Sequence, residues 1–537
     1  MSVPSALLHR YGVPAAVGLA VLVALLLPLN LLANQPLHHD EALYATWAVT
    51  LAAGDDPWLS ATPIDKPPLF LLLVAGVFRL LGVTETVARL PSLLATAAIV
   101  MLTYLLGSKL YNEAIGLLAA WLTALSPFTI LFAPTALTDP TLVALVLAAC
   151  LAAAYERAGL AGIGAALAIA TKQQGIFFVP LIAGCLFVTK WQRDRVVGSL
   201  VAETRQGPDQ SATSHVLPST SYASLASSFF LGLFLTFLPF IGWDLSRSQP
   251  SAFFQQSLNN YGGLTLDVTD FNERWLGFME LLRYGTGSLF LNFIFLAGLP
   301  ILIIYNFYDL YTIRKTNSPS PSYPLNAHLP FDLLLTFFCI VFLLLHTLFS
   351  FQVWDRYLLG LIPLLALLLA RILLLPWTLI ENYILTTPTP FRQWSRLIFG
   401  CGLAILLTAC LARPVEDAVH GRYPLGSNSQ AVAGIEQIVA YLQGHVGANT
   451  TLYHHWLGTH WRFYLRGYPY DLQFWDTPEE LAAKAKPGHL IAFPAWRSDT
   501  EARLALFETG LGLRELARAY KPDGSPSVIL YRLEPLP

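Results

Sequence analysis

The sequence predicts a polytopic α-helical membrane protein that ends in a small extracytoplasmic α/β domain. Three observations lead there. Of 537 residues, 55% are hydrophobic and only 12% charged, with a mean hydropathy of +0.54; a soluble chain carries roughly a quarter charged residues. Apolar runs of about 20 residues, the length that crosses a hydrocarbon core, recur over 1–412. From about 413 to 537 charged and polar residues return, and no further run follows.

The runs fall near 12–34, 87–108, 113–132, 138–155, 159–172, 174–190, 223–243, 286–310, 330–350, 356–376 and 396–412. With room for another pair in 356–385, that gives about 11–13 spans. The run after His9-Arg10 is too long for a signal-peptide h-region and lacks a small-residue cleavage site. It reads as a retained first span. Lys and Arg then set the orientation. With the N-terminus cytoplasmic, Lys109, Arg157, the Lys190 to Arg195 cluster with Arg205, Arg314-Lys315 and Arg392 with Arg396 all fall inside. The same alternation puts 35–86, 133–137, 244–285 and the tail outside, in a plasma (inner) membrane. Segment 68–82 is apolar but interrupted by Arg79. A span there would flip every later positive loop, so an interfacial helix is expected. The Ser-, Pro- and Thr-rich stretches 203–222 and 314–328 read as flexible cytoplasmic connectors.

Composition also narrows the function. A net charge of −2 gives no bulk electrostatic case for nucleic acid. Cys150, Cys185, Cys339, Cys401 and Cys410 all lie in apolar runs, as small core residues rather than a disulfide frame or zinc site. In the tail, alternation at Thr451-Leu452-Tyr453 and His489 to Phe493, and Ser525 to Leu533, suggests strands. Thr477-Pro478-Glu479-Glu480 has the N-cap, proline and acids of a helix start. His454-His455 and His460 read as solvent or core histidines.

The polar residues of the first outer loop stand out in so uncharged a chain. In His38-His39-Asp40-Glu41-Ala42-Leu43-Tyr44-Ala45-Thr46-Trp47, residues Asp40, Tyr44, Trp47 and Leu51 share one helical face, and Gly54 ends the helix. Later in the loop, Asp65-Lys66-Pro67-Pro68 sets a carboxylate beside an ammonium, with two prolines fixing the chain. Taken singly, Asp40 is as well explained as a helix cap, and Asp65-Lys66 as a solvated pair. Two such clusters at a membrane boundary favour a site.

The series Asp40-Glu41-Ala42-Leu43-Tyr44-Ala45, Asp65-Lys66-Pro67-Pro68 and Ala88-Arg89-Leu90-Pro91 resembles the N-terminal region of the protein mannosyltransferase and ArnT-like glycosyltransferases. The family pattern is D-E-x-x-Y-A, then E-K-P-P, then A-R-L-P before a span; Asp65 stands where Glu is usual. Thr138-Asp139-Pro140, Thr171-Lys172 and Asp355-Arg356-Tyr357-Leu358-Leu359 extend the likeness over roughly the first 370 residues. The resemblance implies a GT-C fold and a cell-envelope glycosyltransferase using a polyprenyl-phosphate-linked sugar. The sugar would pass, with inversion, to a hydroxyl of a protein, lipid or glycan acceptor.

It also implies roles. Asp40 would be the catalytic base, with Glu41 beside it orienting or structural, and Asp139 a second functional acid. Lys66, Arg89, Lys172 and Arg356 would hold the donor phosphate. For Asp139 a helix cap is the bland alternative, and for Arg356 anchoring or pairing with Asp355. Some ArnT-like members hold a metal near the E-K-P-P acid with a distant histidine. That makes Asp65 a candidate ligand of a possible divalent metal, although adjacent His38-His39 rarely both bind one ion. In 244–285, the region that closes over the donor in ArnT-like enzymes, Arg247, Asn259 to Gly263, Asp267, Asp270 and Arg274 match no motif.

Three rivals remain. A polytopic transporter is weakened by the absence of internal repeats and by polar clusters that sit outside the spans. A non-catalytic membrane protein binding polyprenyl phosphate or glycan is opposed by the intact acids. An oligosaccharyltransferase would carry a WWDYG-like motif, which neither Tyr468-Pro469-Tyr470-Asp471 nor Phe474-Trp475-Asp476 supplies.

Overall fold

The computed structural model describes residues 5–205, 221–256, 258, 265–316, 328–384, 389–426, 430–447 and 449–536. Most of the two expected connectors, and Asn259-Asn260-Tyr261-Gly262-Gly263, lie outside these residues.

Eight helices among the described residues are long and apolar enough to cross a membrane. They are Gly12–Asn34, Glu85–Leu110, Gln173–Arg195, Tyr222–Ser246, Leu289–Tyr308, Leu329–Leu348, Asp355–Glu381 and Trp394–Val419. Each matches one of the eleven expected spans. The other three correspond to shorter apolar helices, Glu113–Ala124, Asp139–Ala154 and Ala158–Thr171. The expected 113–132 span is broken because Pro127 starts a separate helix, Pro127–Phe132. Asp139–Ala154 and Ala158–Thr171 pack on each other through small residues. A Cβ on Gly164 would stand 2.9 Å from Ala149 Cβ, so that closeness depends on glycine.

Segment 68–82 forms Leu69–Leu81, 13 residues. At 1.5 Å per residue it is about 20 Å long, short of a core about 30 Å thick. Phe70, Leu71, Val74, Ala75 and Phe78 are buried on one face, while Leu80 and Leu81 are exposed. Arg79 donates to the carbonyls of Leu51 (2.8 Å) and Ala52 (3.1 Å). The charge that broke the apolar run thus caps the end of the preceding helix.

The boundary expected at 412 falls inside a helix, because Thr389–Val419 continues through Pro414. Beyond it lies a five-stranded sheet of β1 (Thr451–His454), β2 (Asp471–Phe474), β3 (Leu490–Pro494), β4 (Leu511–Tyr520) and β5 (Pro526–Pro535), ordered β2-β1-β3-β5-β4. β1 pairs parallel with β2 and β3, whereas β5 is antiparallel to β3 and β4. Helices cover both faces. Leu452, Leu490, Leu530 and Trp461 fill one core; Tyr453, Ile491, Phe493 and Leu533 fill the other. Thr477 does cap its helix, its hydroxyl accepting from Glu480 N at 3.3 Å.

The loop 35–86, the segment after residue 243 and the sheet domain meet on one side of the bundle. Trp243 Nε1 donates to Trp58 O (2.8 Å), and Arg247 to the carbonyls of Leu59 (2.9 Å) and Thr62 (2.7 Å). From the sheet domain, the Gly458–Tyr464 helix lies against His39–Ala53, where Thr46 Oγ1 donates to Thr459 O (3.2 Å).

Candidate functional site

The His39–Ala53 helix begins with His38 as N-cap. Its Nδ1 accepts from Asp40 N (3.3 Å), while Glu41 accepts from His38 N (2.8 Å). This reciprocal box satisfies two end donors without the Asp40 carboxylate. Asp40 is therefore not the cap, and its carboxylate pairs instead with the guanidinium of Arg356. Asp355, the neighbour expected to hold Arg356, accepts from backbone N–H groups of Arg356 (2.8 Å) and Gly426 (2.6 Å).

Asp139 likewise caps nothing: Thr138 holds the N-cap position without a side-chain cap bond. The Asp139 carboxylate accepts from Lys172 Nζ at 2.6 Å. Asp65 lies 3.2 Å from Lys66 Nζ. Three acid–cation pairs thus stand together: the Arg356 charge is felt at Lys66 and Lys172, the Lys66 charge at Lys172, and Arg356 in turn feels Asp40 and Asp139. The cations come from the loop 35–86, the break before Gln173–Arg195, and the start of Asp355–Glu381.

Burial is the largest influence on both ammonium groups. It depresses Lys66, assisted by Arg356 and opposed by Asp65. Lys172 is pushed down to about 8 by burial, with Arg356 and Lys66 adding to the shift against Asp139. Burial also pushes the Asp40 carboxyl up, but Arg356, His38 and His39 together outweigh it and the net shift is down. Asp40 is the most accessible of the acids, with 27% of its side chain exposed against 3% for Asp139.

Glu41 and Arg89 are placed differently. Both are fully buried and pair at 3.2 Å. Arg89 directs its five N–H groups to Glu41 Oε1 and Oε2 and to the carbonyls of Leu32, Gln35 and Pro36. A guanidinium has only five donors, so none remains for a phosphate here. Glu41 accepts from Arg89, His38 N and Ala136 N (2.6 Å), which leaves it no access to a substrate. The expected phosphate role of Arg89 and any direct catalytic role of Glu41 are corrected accordingly: the pair clamps the loop to Glu85–Leu110 and to the 133–137 turn.

The metal expectation also changes. Among the described residues no group of three or more His, Cys, Asp and Glu side chains is placed to hold an ion. Asp65 stands against Lys66, and His346 directs Nδ1 to Phe342 O (2.8 Å) and Nε2 to Gln174 (3.3 Å). Among the described residues Asp65 is therefore placed in an ion pair and His346 in hydrogen bonds, not together in a ligand set.

Several contributors escaped the sequence reading. Tyr357 presents its ring 4.9 Å from Lys172 Nζ. Gln173 Nε2 bridges the carbonyls of Asp65 (2.8 Å) and Ala252 (2.9 Å), tying the lysine loop to the segment after residue 243. From the sheet domain, Tyr464 Oη accepts from Leu37 N (3.1 Å) and His460 Nε2 lies 3.0 Å from Leu37 O. Burial pushes His460 down to about 3, so it meets that carbonyl as a neutral N–H donor. Adjacency to the Thr171-Lys172 and Asp355-Arg356 motifs pointed toward Gln173 and Tyr357; no sequence signal pointed to Tyr464 or His460.

Residues 65–202 match the dolichyl-phosphate-mannose-protein mannosyltransferase family. No curated protein matches the chain in sequence. In fold, the chain is similar to ArnT from Cupriavidus metallidurans in the apo state, with TM-score 0.58 and 16% identity over 97% of this chain and 98% of that one. ArnT bound to undecaprenyl phosphate gives 0.56 and 16% over 96% and 97%. The archaeal oligosaccharyltransferase AglB from Archaeoglobus fulgidus, in complex with an inhibitory peptide and a dolichol-phosphate, gives 0.50 and 12% over 97% and 74%. The fold is thus similar to that of ArnT over nearly the whole chain, and the mannosyltransferase family match falls within it, at residues 65–202. Outside residues 65–202 the likeness is one of fold, to ArnT.

Proposed function

We propose that this protein transfers a sugar from a polyprenyl-phosphate-linked donor to an acceptor hydroxyl, with inversion, at the outer face of the plasma membrane. The N-terminus is then cytoplasmic and the sheet domain extracytoplasmic. The observation that carries the reading is the convergence of Lys66, Lys172 and Arg356 with Asp40 and Asp139 beside the bundle. Burial and the neighbouring Arg356 guanidinium depress both lysines, so an anion arriving among the three cations is favoured. A lipid phosphate meets that need at the membrane boundary, with its tail left in the bilayer.

In this reading the phosphate takes over donors of Arg356, which releases the Asp40 carboxylate and raises its basicity. Asp40 accepts the acceptor's hydroxyl proton as that oxygen attacks C1 of the sugar. The bond from C1 to the phosphate oxygen breaks, and the three cations stabilise the charge that grows on the departing phosphate. Asp139 keeps Lys172 charged and oriented. No role falls to a metal.

Undecaprenyl phosphate added to the purified protein tests the donor half. It is expected to raise the melting temperature of the parent and to do so far less for Lys66→Ala and Arg356→Ala. Each variant's melting without lipid reports whether it folds. Equal shifts in folded variants would remove the phosphate assignment.

A further inference from the structure

We propose that the sheet domain carries a second binding site, an aromatic platform for the sugar rings of a glycan acceptor. It lies at the carboxyl ends of the parallel strands β2, β1 and β3, where open α/β sheets hold their ligands. β1 ends at His454 and leads into His455-Trp456, β2 ends at Phe474 before Trp475, and β3 ends at Pro494 before Trp496-Arg497. These chain ends meet in space. The Trp456 and Trp496 rings are 5.9 Å apart at 57°, and His455 stacks on Phe474 at 5.5 Å. Arg497 lays its guanidinium over both indoles, 4.4 Å from Trp456 and 5.4 Å from Trp496.

Three of the rings remain well exposed: Trp456 39%, Trp496 45% and Phe474 49%. So many accessible aromatics on one edge of a folded domain mark an interaction site. Aromatic faces take the C–H faces of sugar rings, and Arg497 adds a planar cation for hydroxyl or acidic groups. Behind the rings, Trp475 Nε1 and both ring nitrogens of His454 are buried without a hydrogen-bond partner among the described residues. The exposed Arg497 guanidinium set among the rings favours a hydroxyl-rich ligand over a lipid surface. Location supplies the function. After β1 the chain runs directly into the Gly458–Tyr464 helix that lies on His39–Ala53, so the platform flanks the helix that carries Asp40. The proposal rests on the transferase reading and specifies its acceptor as a sugar chain.

Binding of fluorescently labelled maltohexaose (neutral) and hexagalacturonate (acidic) to the full-length protein in detergent tests it without any transfer step. Both are expected to bind, the acidic chain more tightly. The double variant Trp456→Ala/Trp496→Ala is expected to weaken both by roughly tenfold or more, and Arg497→Ala to abolish the acidic preference. In the double variant, an unchanged thermal shift by undecaprenyl phosphate shows the donor site and fold intact. Failure of both sugars to bind the parent, or unchanged binding in the double variant, overturns the platform. So does quenching of these tryptophans by brominated lipid in nanodiscs, which would assign the rings to the membrane. None of these results bears on donor transfer itself.

Discussion

Arg356 places its guanidinium on the carboxylate of Asp40, a residue 316 positions earlier in the chain. The contact joins the loop 35–86 to the start of the Asp355–Glu381 helix. It also stacks the guanidinium 4.0 Å from the Trp354 ring. Arg356 is thus held in plane by a ring on one side and a carboxylate at its edge. Arg356→Ala is expected to lower kcat/KM for the lipid donor by about 10²–10³. Arg356→Lys is expected to recover only part, since an ammonium lacks the planar fork. Full recovery by lysine would show that charge alone suffices there.

The Glu41–Arg89 pair is expected to matter for folding rather than chemistry. Removing one partner of a buried pair leaves an uncompensated charge, at a cost of about 3–5 kcal/mol. Glu41→Gln and Arg89→Met should therefore lower the melting temperature and the yield of folded protein. Normal stability with lost turnover would instead return Glu41 to the catalytic set.

The acid–base behaviour of Lys172 sets an alkaline limit. Burial pushes its pKa down to about 8, so it is charged below that pH and loses its proton as pH rises through it. Donor affinity is expected to fall on the alkaline side, seen as a KM that climbs above about pH 8 while kcat at saturation changes less. A KM independent of pH up to 9.5 would contradict this.

His460 and Tyr464 hold both backbone groups of Leu37, three residues before Asp40. They are positioning residues. Tyr464→Phe and His460→Ala each remove one bond worth about 1 kcal/mol, so a roughly fivefold fall in kcat with unchanged donor KM is expected. A merely structural role would move the melting temperature and leave kcat alone.

The helical bundle was legible because membrane spans are read from length and apolarity, and eight expected runs became long helices. The breaks were harder to place. Pro127 divides one run, whereas Pro414 lies within a continuous helix, and only packing separates the two cases. Asp40, Lys66, Asp139, Lys172 and Arg356, which the structure brings together, each sit in a short motif that the sequence shows. Their pairing was not legible. Asp355 is the sequence neighbour of Arg356, yet the backbone turns its carboxylate to N–H groups and sends the guanidinium elsewhere. The resemblance implies a phosphate role for Arg89 through its motif, but Glu41 and the carbonyls of Leu32, Gln35 and Pro36 occupy its donors. In the tail, Leu511–Tyr520 reads Leu-Gly-Leu-Arg-Glu-Leu-Ala-Arg-Ala-Tyr, a composition as suited to helix as to β4, and pairing with β5 decides it.

The assignment of Asp40 as base is tested most directly by Asp40→Asn in a strain lacking the parent protein, with mass spectrometry of the cell envelope before and after re-expression. The parent is expected to restore a sugar mass on its acceptor. The folded Asp40→Asn variant should still be thermally stabilised by undecaprenyl phosphate yet restore none. Restoration of that sugar at the parental level by Asp40→Asn would contradict the account.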